Sequence, residues 1–301
     1  MSKTVAELVT QPACWRRAAA LATEPAVAAL LPAAGAETAV VGCGTSLFMA
    51  RSYAALREAA GAGRTDAFPA SEFPMEREYD SVLALCRSGT TTEVVELLER
   101  LAPRTETLVV TAVEGTPAPV AARHAIVLPF ADEESVVQTR FATTALALLR
   151  AALGGDVAGA ADDAQRALAA DLPLDPALTG QVTYLGTGWT AGLAEEAALK
   201  LREAAQFWAE AYLAMEYRHG PISIAMPGRA VWPLSPLPPG LAGQVRETGA
   251  TLVDVGDLDP MAVLVLAQRF AVEAARARGL DPDRPRALTR SVILSDRGET
   301  S

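Results

Sequence analysis

The sequence has little of what disulfide-bonded, metal-binding or membrane proteins need. Its three cysteines, Cys14, Cys43 and Cys86, are odd in number and form no CxxC pair, so we expect reduced thiols and no zinc site. No apolar run reaches the roughly 18 to 20 residues that a membrane span requires. The Ala-rich stretch at 18–34 is interrupted by Glu24 and two prolines, unlike a signal peptide. These absences predict a cytoplasmic protein.

Positive charge is also in deficit. The formal net charge is −10, and a field of that sign repels nucleic acids and anionic membranes, so any anionic ligand has to be held by a local group of donors. Aromatic residues are few, at 5%, whereas hydrophobic residues make up 50% of the chain. This composition is typical of a folded, helix-rich protein rather than a disordered one.

Short β-rich apolar runs alternate with longer helical patterns. This alternation predicts parallel sheets covered by helices on both faces. A Pro- and Asp-containing break at 171–176 separates two such series, so we place a domain boundary near residue 175. The predicted strands are 38–41, 81–85, 107–110 and 124–128 in the first series and 182–185, 230–234 and 251–255 in the second, which ends in a helix over 261–278.

A weak internal repeat supports this division. Val41–Ser46 and Leu185–Thr190 each read as a strand, a G-x-G turn and a hydroxyl residue placed to cap a helix. A lone G-x-G turn also opens dinucleotide-binding folds, but neither copy continues as G-x-G-x-x-G, because Phe48 takes the third position in the first copy and Gly192 falls one residue late in the second. A dinucleotide oxidoreductase is therefore the least favoured function.

A loop rich in hydroxyl groups follows the strand at 81–85. Thr90 and Glu93 have the spacing of a capping box, which predicts that a helix begins here. Its N-terminus would present unpaired N–H groups to an anion, the hydroxyls of Ser88, Thr90 and Thr91 would add donors, and Arg87 would add charge. The alternative is that the hydroxyls only cap the helix, and the residues alone leave both interpretations open.

Farther along, charged residues share one face of a predicted helix. Glu196, Lys200 and Glu203 are spaced i, i+4 and i+7, which fits either a solvated surface ion pair or a catalytic base in a cleft. His219 lies in a charged turn and is able to relay a proton near neutral pH. The only other histidine, His124, stands beside an apolar run, where we expect a structural or surface role.

These segments together resemble the SIS (sugar isomerase) family, and within it the isomerase half of the glucosamine-6-phosphate synthases. The resemblance runs from Glu7 to about Leu294. Its most specific part is the block from Leu199–Glu203 to Arg218–Pro221. The resemblance implies an α/β fold of two three-layer α/β/α flavodoxin-like SIS modules with parallel sheets, at 1–175 and 176–301. Further matching segments are Gly42–Ser46, Arg87–Gly89, Glu134 with Val137, and Asp283–Arg286.

The resemblance implies an aldose-ketose isomerase that acts on a hexose or amino-hexose 6-phosphate through an enediol or enolamine intermediate, without a cofactor. Glu203 would move the proton between C1 and C2, His219 would assist ring opening, and Glu134 and Lys200 would support the site. The protein would be a homodimer with its site near the subunit interface. Substrate contacts are implied for Gly44, Thr45, Ser46, Cys86, Arg87, Ser88, Gly89, Thr90, Thr91, Val137 and Thr289, with the phosphate on Arg87, Ser88 and Thr91.

The sequence departs from this pattern in three places. Arg290 stands where the synthases have a catalytic lysine, and arginine does not readily form a Schiff base. The glutaminase half is missing, so we expect no glutamine-dependent synthesis. Residues 235–240 replace a second phosphate loop, so we expect one site per chain. Two alternatives remain open, an amino-sugar-phosphate deaminase or deglycase and a non-catalytic phosphosugar sensor.

Overall fold

The computed structural model describes residues 2–294, and the last residues of the second predicted unit, 295–301, lie outside the described part. Two sheets dominate it, and every neighbouring pair of strands in both is parallel. The first sheet has the order β2-β1-β3-β4-β5 and the second β7-β6-β8-β9. This is the flavodoxin-like order, which confirms the predicted fold class. The strands are β1 (Thr38–Gly42), β2 (Thr65–Pro69), β3 (Ser81–Leu85), β4 (Glu106–Thr111), β5 (His124–Val127), β6 (Gln181–Gly186), β7 (Ala209–Leu213), β8 (Arg229–Pro233) and β9 (Thr251–Leu252).

Helices connect the strands and cover both faces of the sheets. They are α1 (Lys3–Leu8), α2 (Gln11–Ala22), α3 (Pro25–Ala28), α4 (Thr45–Ala59), α5 (Thr92–Leu101), α6 (Pro117–Ala121), α7 (Arg140–Ala152), α8 (Val157–Ala169), α9 (Thr190–Ala205), α10 (Leu241–Glu247) and α11 (Pro260–Ala277). The helix predicted over 261–278 corresponds to α11.

One core joins the two sheets. Alternate strand residues point to opposite faces: Val40 and Leu83 pack into this shared core, whereas Ala39 and Ala84 pack beneath α5. The core continues through α2, α4, α7, α8, α9 and α11 to Trp232 in the second sheet. The outer face of that sheet is covered by α10. The predicted boundary near residue 175 falls between α8 and β6, and the independence of the two parts stays a prediction.

Two strands, β2 and β7, were not predicted. Each is an edge strand that pairs only with the first strand of its sheet, and each is only partly buried. Asp66 and Pro69 in β2 and the glutamate in β7 obscure the apolar pattern that reveals a central strand.

Within residues 2–294, no helix combines the length and the apolar character needed to cross a membrane. The three cysteines are free thiols.

Candidate active site

Two of the predicted ligand-binding loops lie at the carboxyl end of the first sheet. In the order β2-β1-β3, the chain leaves β1 toward one side and β3 toward the other, so the loops after these two strands flank a crevice. The loop after β1 leads into α4 at Thr45, and the loop after β3 leads into α5 at Thr92. The two predicted ligand-binding loops are therefore neighbours.

In the loop after β1, the Thr45 hydroxyl does not cap α4 and is available to the site. Gly44, with φ of 54°, is the N-cap of α4 and Trp189 is the N-cap of α9. Neither makes a side-chain capping bond, so the predicted hydroxyl cap is wrong in both copies. Thr45 Oγ1 instead accepts a hydrogen bond from Lys200 Nζ at 3.0 Å and donates to Glu196 Oε1 at 3.4 Å. Ser46, predicted to contact the sugar, is buried beside Gly42, whose close approach leaves no room for a Cβ atom.

The charged face of α9 is buried against Thr45, so the alternative of a solvated surface pair is wrong. The side chains of Glu196, Lys200 and Glu203 are 0, 2 and 17% exposed. Lys200 Nζ lies 3.5 Å from Glu196 Oε1 and is hydrogen-bonded to Glu203. One ammonium group thus joins two carboxylates, and the less buried carboxylate, Glu203, is the one that an incoming molecule can reach.

Burial changes the acidity of this cluster. Burial raises the pKa of Glu196 to about 8, although Lys200 opposes the shift. For Lys200, burial alone would lower the pKa, but Glu196 and Glu203 raise it above its ordinary value. Lys200 therefore stays charged at neutral pH. Sequence reasoning did not assign Glu196 to the site, although its i, i+4 spacing to Lys200 was the signal.

The loop after β3 is held by its own hydroxyls. Helix α5 begins at Thr92 with Thr91 as N-cap and no side-chain capping bond, so the predicted capping box of Thr90 and Glu93 is wrong. Ser88 Oγ accepts a bond from the Thr90 amide at 3.2 Å. Gly89 has φ of 65°, and a Cβ atom there would meet Thr116 Oγ1 at 1.9 Å, so this position requires glycine. The Cys86 side chain is buried in the core beneath α5.

Arg87 points away from the predicted anion site. Its buried guanidinium donates to the carbonyl oxygens of Ser135 at 2.9 Å and of Arg290 at 2.5 Å. Burial lowers the pKa of Arg87, while Glu133 opposes the shift. The predicted contact with phosphate does not fit this orientation, because both terminal nitrogens of the guanidinium donate to backbone carbonyls. Arg87 ties the loop to two other segments instead.

Of the two neighbouring glutamates before α7, the predicted one, Glu134, is exposed to solvent. The Glu134 carboxylate is 76% exposed and pairs with Lys3 at 2.6 Å, which does not fit a supporting role in the site. Its neighbour Glu133 is buried and accepts bonds from the amides of Thr139 and Arg140, both at 2.7 Å. Its charge raises the pKa of both Lys200 and Arg87, so Glu133 favours the charged form of each.

The C-terminal segment reaches the loop after β3. Ser88 Oγ and Thr90 Oγ1 both donate to Ser291 Oγ, at 3.2 and 2.9 Å. The side chain of Arg290 points to Asp132, and Thr289 Oγ1 donates to the Ser291 carbonyl oxygen. Val137, the other predicted sugar contact, is buried. The structure therefore brings this segment, but neither the Arg290 guanidinium nor the Val137 side chain, onto the loop.

The last predicted catalytic residue is His219. It ends a short 3-10 turn (Glu216–His219) after β7 and is exposed. Within residues 2–294, no hydrogen bond or ion pair links it to Glu203. In the second part of the chain, Thr190 Oγ1 donates to Ser235 Oγ at 3.0 Å, so the 235–240 segment closes onto the second G-x-G turn.

Two parallel sheets in the flavodoxin-like order around one core are the fold that the sequence resemblance to the SIS family implies. No protein-family model matches the chain. Glutamine–fructose-6-phosphate aminotransferase (isomerizing) of Aeropyrum pernix is 33% identical over 176 residues, which cover 47% of this chain and 28% of that protein. The same enzyme of Methanothermobacter thermautotrophicus is 26% identical over 300 residues, covering 84% and 51%. The chain thus spans about half the length, or less, of these relatives.

Solved structures match over nearly the whole chain. The glucosamine-6-phosphate deaminase of Thermotoga maritima has a TM-score of 0.82 and 25% identity, and the match covers 97% of this chain and 100% of that one. The tagatose-6-phosphate ketose/aldose isomerase of Escherichia coli has a TM-score of 0.78 and 20% identity, with coverage of 97% and 96%. These matches confirm the predicted resemblance to the SIS family.

Proposed function

We propose that this chain isomerises a hexose or amino-hexose 6-phosphate between its aldose and ketose forms. The observation that carries the proposal is the buried Lys200 ammonium, which joins Glu203 to Thr45 at the crevice beside the N-terminus of α5. The reaction needs a base near C1 and C2 and an anchor for the phosphate. The crevice offers a carboxylate at one side and helix N–H groups with hydroxyls at the other.

In the proposed reaction, Glu203 removes the proton from C2 of the open-chain aldose. Loss of this proton leaves an enediolate, which takes the proton back at C1 while the proton of the C2 hydroxyl passes to O1, giving the ketose. An amino sugar would pass through the corresponding enolamine to an imine at C2, whose hydrolysis by water gives the ketose and ammonia. Lys200 keeps a positive charge beside the oxygens on which negative charge develops, and its bond to Thr45 fixes its position. His219 would assist ring opening, and because no hydrogen bond or ion pair joins it to Glu203 among residues 2–294 of one chain, we assign this role to a second copy.

The phosphate would rest on the N-terminus of α5 and on the hydroxyls of Ser88, Thr90 and Thr91. Arg87 would position this loop rather than touch the phosphate, since its bonds go to backbone carbonyls. Arg290 in place of lysine favours plain isomerisation over chemistry through an amine adduct.

An amino-sugar-phosphate deaminase or deglycase is the second candidate. It is favoured by the likeness to the Thermotoga maritima structure, which is named as a deaminase and matches this chain from end to end. Deamination would need the same base, so the two reactions have to be distinguished by the products formed from a set of sugar phosphates.

The substrate panel measures thermal stabilisation by fructose, glucose and glucosamine 6-phosphates and their N-acetylated relatives, followed by turnover of each compound that binds. We expect at least one to stabilise the protein and to be converted. Release of ammonia would favour the deaminase. Stabilisation without turnover would favour a phosphosugar sensor, and a protein that none of these compounds stabilises would contradict the phosphate site.

Replacing Glu203→Gln tests the base. Because glutamine keeps the shape but accepts no proton, we expect turnover to fall by about 10²- to 10⁴-fold while the substrate still stabilises the protein. Glu195→Gln is the matched control, since Glu195 lies on the same helix and pairs with Arg51 at the surface. Equal losses in both variants would argue against Glu203 as the base.

A further inference from the structure

Residues 288–294, here named the C-terminal strap, lie across the loop at 86–92. Five hydrogen bonds join the strap to the loop, and three of them use donors that the loop would offer to an anion. The Ser88 and Thr90 hydroxyls donate to Ser291 Oγ. The Thr92 amide, at the N-terminus of α5, donates to the Val292 carbonyl oxygen at 3.2 Å.

The Ser291 hydroxyl takes the bonds expected of a phosphate oxygen. Ser291 Oγ accepts from the Thr90 and Ser88 hydroxyls, at 2.9 and 3.2 Å. The Val292 carbonyl oxygen accepts from the first amide of α5. A phosphate group bound to Ser88, Thr90 and the α5 N-terminus would need the same donors. The strap and the phosphate therefore exclude one another.

The strap is anchored just before it begins, and over the loop it is held by polar bonds alone, including one from buried Arg87 to the Arg290 carbonyl oxygen. Asp283, just before it, accepts bonds from the amides of Lys3 and Thr4 at the start of α1, at 2.7 and 2.8 Å. Over the loop, by contrast, the apolar side chains remain in solvent: Val292, Ile293 and Leu294 are 52, 68 and 58% exposed. With so little apolar burial, opening of this segment costs little free energy compared with global unfolding.

A strained residue joins these two regions. Ala287 has φ of 58°, a conformation that residues with a Cβ atom rarely adopt. Moving the strap off the loop would let Ala287 relax, which further favours opening when a ligand competes.

We propose that the C-terminal strap occupies the place of the phosphate in the ligand-free chain and has to leave the loop before a phosphosugar binds. This proposal rests on the phosphate site of the proposed function. In addition, the strap competes with the phosphate group for the loop. The ligand binds only the fraction of molecules in which the loop is open, so its apparent affinity is lower than that of a permanently open loop.

Ser291→Ala tests the competition with inorganic phosphate and fructose 6-phosphate as probes. The variant removes the oxygen that accepts both hydroxyl bonds, so the Kd of each probe should fall by about fivefold, the value of one net hydrogen bond. Ser71→Ala, at an exposed serine outside the site, should leave both Kd values unchanged. An unchanged or higher Kd in Ser291→Ala would overturn the proposal.

Hydrogen exchange of the unmodified protein gives a second measurement. The Leu294 amide donates to Thr92 Oγ1 at 2.9 Å, so peptides covering 288–294 should exchange faster when fructose 6-phosphate saturates the site. Slower exchange would mean that the strap stays and closes over the ligand, and would overturn this proposal alone. If neither probe binds the unmodified chain or Ser291→Ala, the phosphate site itself fails, and the competition fails with it.

Discussion

At the scale of single residues, Glu196 has the most unusual environment among the charged groups of the site. Its carboxylate is fully buried, and its second oxygen, Oε2, has no hydrogen-bond partner among the described residues. The Lys200 ammonium is shared between this carboxylate and Glu203. Complete burial disfavours the charged form and the nearby charge of Glu203 adds to that effect, so the pKa of Glu196 is raised to about 8 although Lys200 opposes the shift.

This raised pKa predicts a pH-dependent stability. The folded state keeps a proton on Glu196 up to about pH 8, whereas the unfolded chain releases it near its ordinary value, about 4.3. The contribution of Glu196 is therefore largest below that lower value and is lost as the pH rises through 8. For Glu196→Gln, the free energy of unfolding measured in urea should fall less steeply between pH 5 and 8.5 than for the unmodified protein. The difference in slope should be up to roughly 1.4 kcal/mol per pH unit. Glu195→Gln should keep the pH dependence of the free energy of unfolding of the unmodified protein. The same pH dependence in Glu196→Gln would contradict the raised pKa of Glu196.

The sequence predicted the charged face of α9 but only part of the irregular segments. The i, i+4, i+7 spacing of Glu196, Lys200 and Glu203 follows from helix geometry, and burial then placed all three at the crevice. No such period governs the residues before α7, so the choice between Glu133 and Glu134 depended on which side chain faced α7. A contact between Ser88 and Ser291 joins residues about two hundred positions apart, and no local pattern reveals it.

At the scale of elements, the close packing of α4 on α9 fixes the geometry of the site. α4 supplies Thr45 and α9 supplies Lys200, so any change in their spacing moves the ammonium relative to the crevice. Gly192 of α9 is at the point of closest approach. A Cβ atom there would meet the Phe48 carbonyl oxygen at 2.2 Å and Ser52 Oγ at 2.4 Å.

Gly192→Ala should therefore destabilise the protein. Overpacking against the α4 backbone costs about 1 to 3 kcal/mol, and the better helix propensity of alanine returns at most about 1 kcal/mol. Urea unfolding should show a net loss, accompanied by weaker turnover. The matched control is Gly243→Ala in α10, where a Cβ atom meets nothing within 4 Å. That control should be neutral or slightly stabilising, and equal behaviour of the two variants would contradict the packing argument.

The central strands were predictable because they are buried on both faces and read as apolar runs. β3 was predicted with its observed bounds, Ser81–Leu85. The edge strands β2 and β7 were not, since their pairing is set by the neighbouring strand rather than by their own composition. In β2, Pro69 ends the strand at an edge, where the missing N–H is tolerated.

At the scale of the whole molecule, no hydrogen bond or ion pair joins the base and the histidine within residues 2–294 of one chain. His219 follows the edge strand β7, and exposed apolar side chains lie along the chain around it: Trp208, Leu213, Met215 and Met226. Exposed apolar groups near an edge strand favour an interface. A symmetric dimer through this region is the assembly we propose to bring His219 to the site of a partner.

Mixing two inactive variants tests this arrangement. Glu203→Gln lacks the base and His219→Ala lacks the ring-opening group, so each homodimer should have low turnover. If His219 acts in the partner's site, one of the two sites in each mixed dimer contains both groups. After subunit exchange at equal concentrations, half of the dimers are mixed, and turnover should recover to about a quarter of the unmodified level. Glu203→Gln mixed with more of itself should stay inactive. Mixed dimers verified by mass, yet without recovered turnover, would place His219 in its own chain's site or outside catalysis.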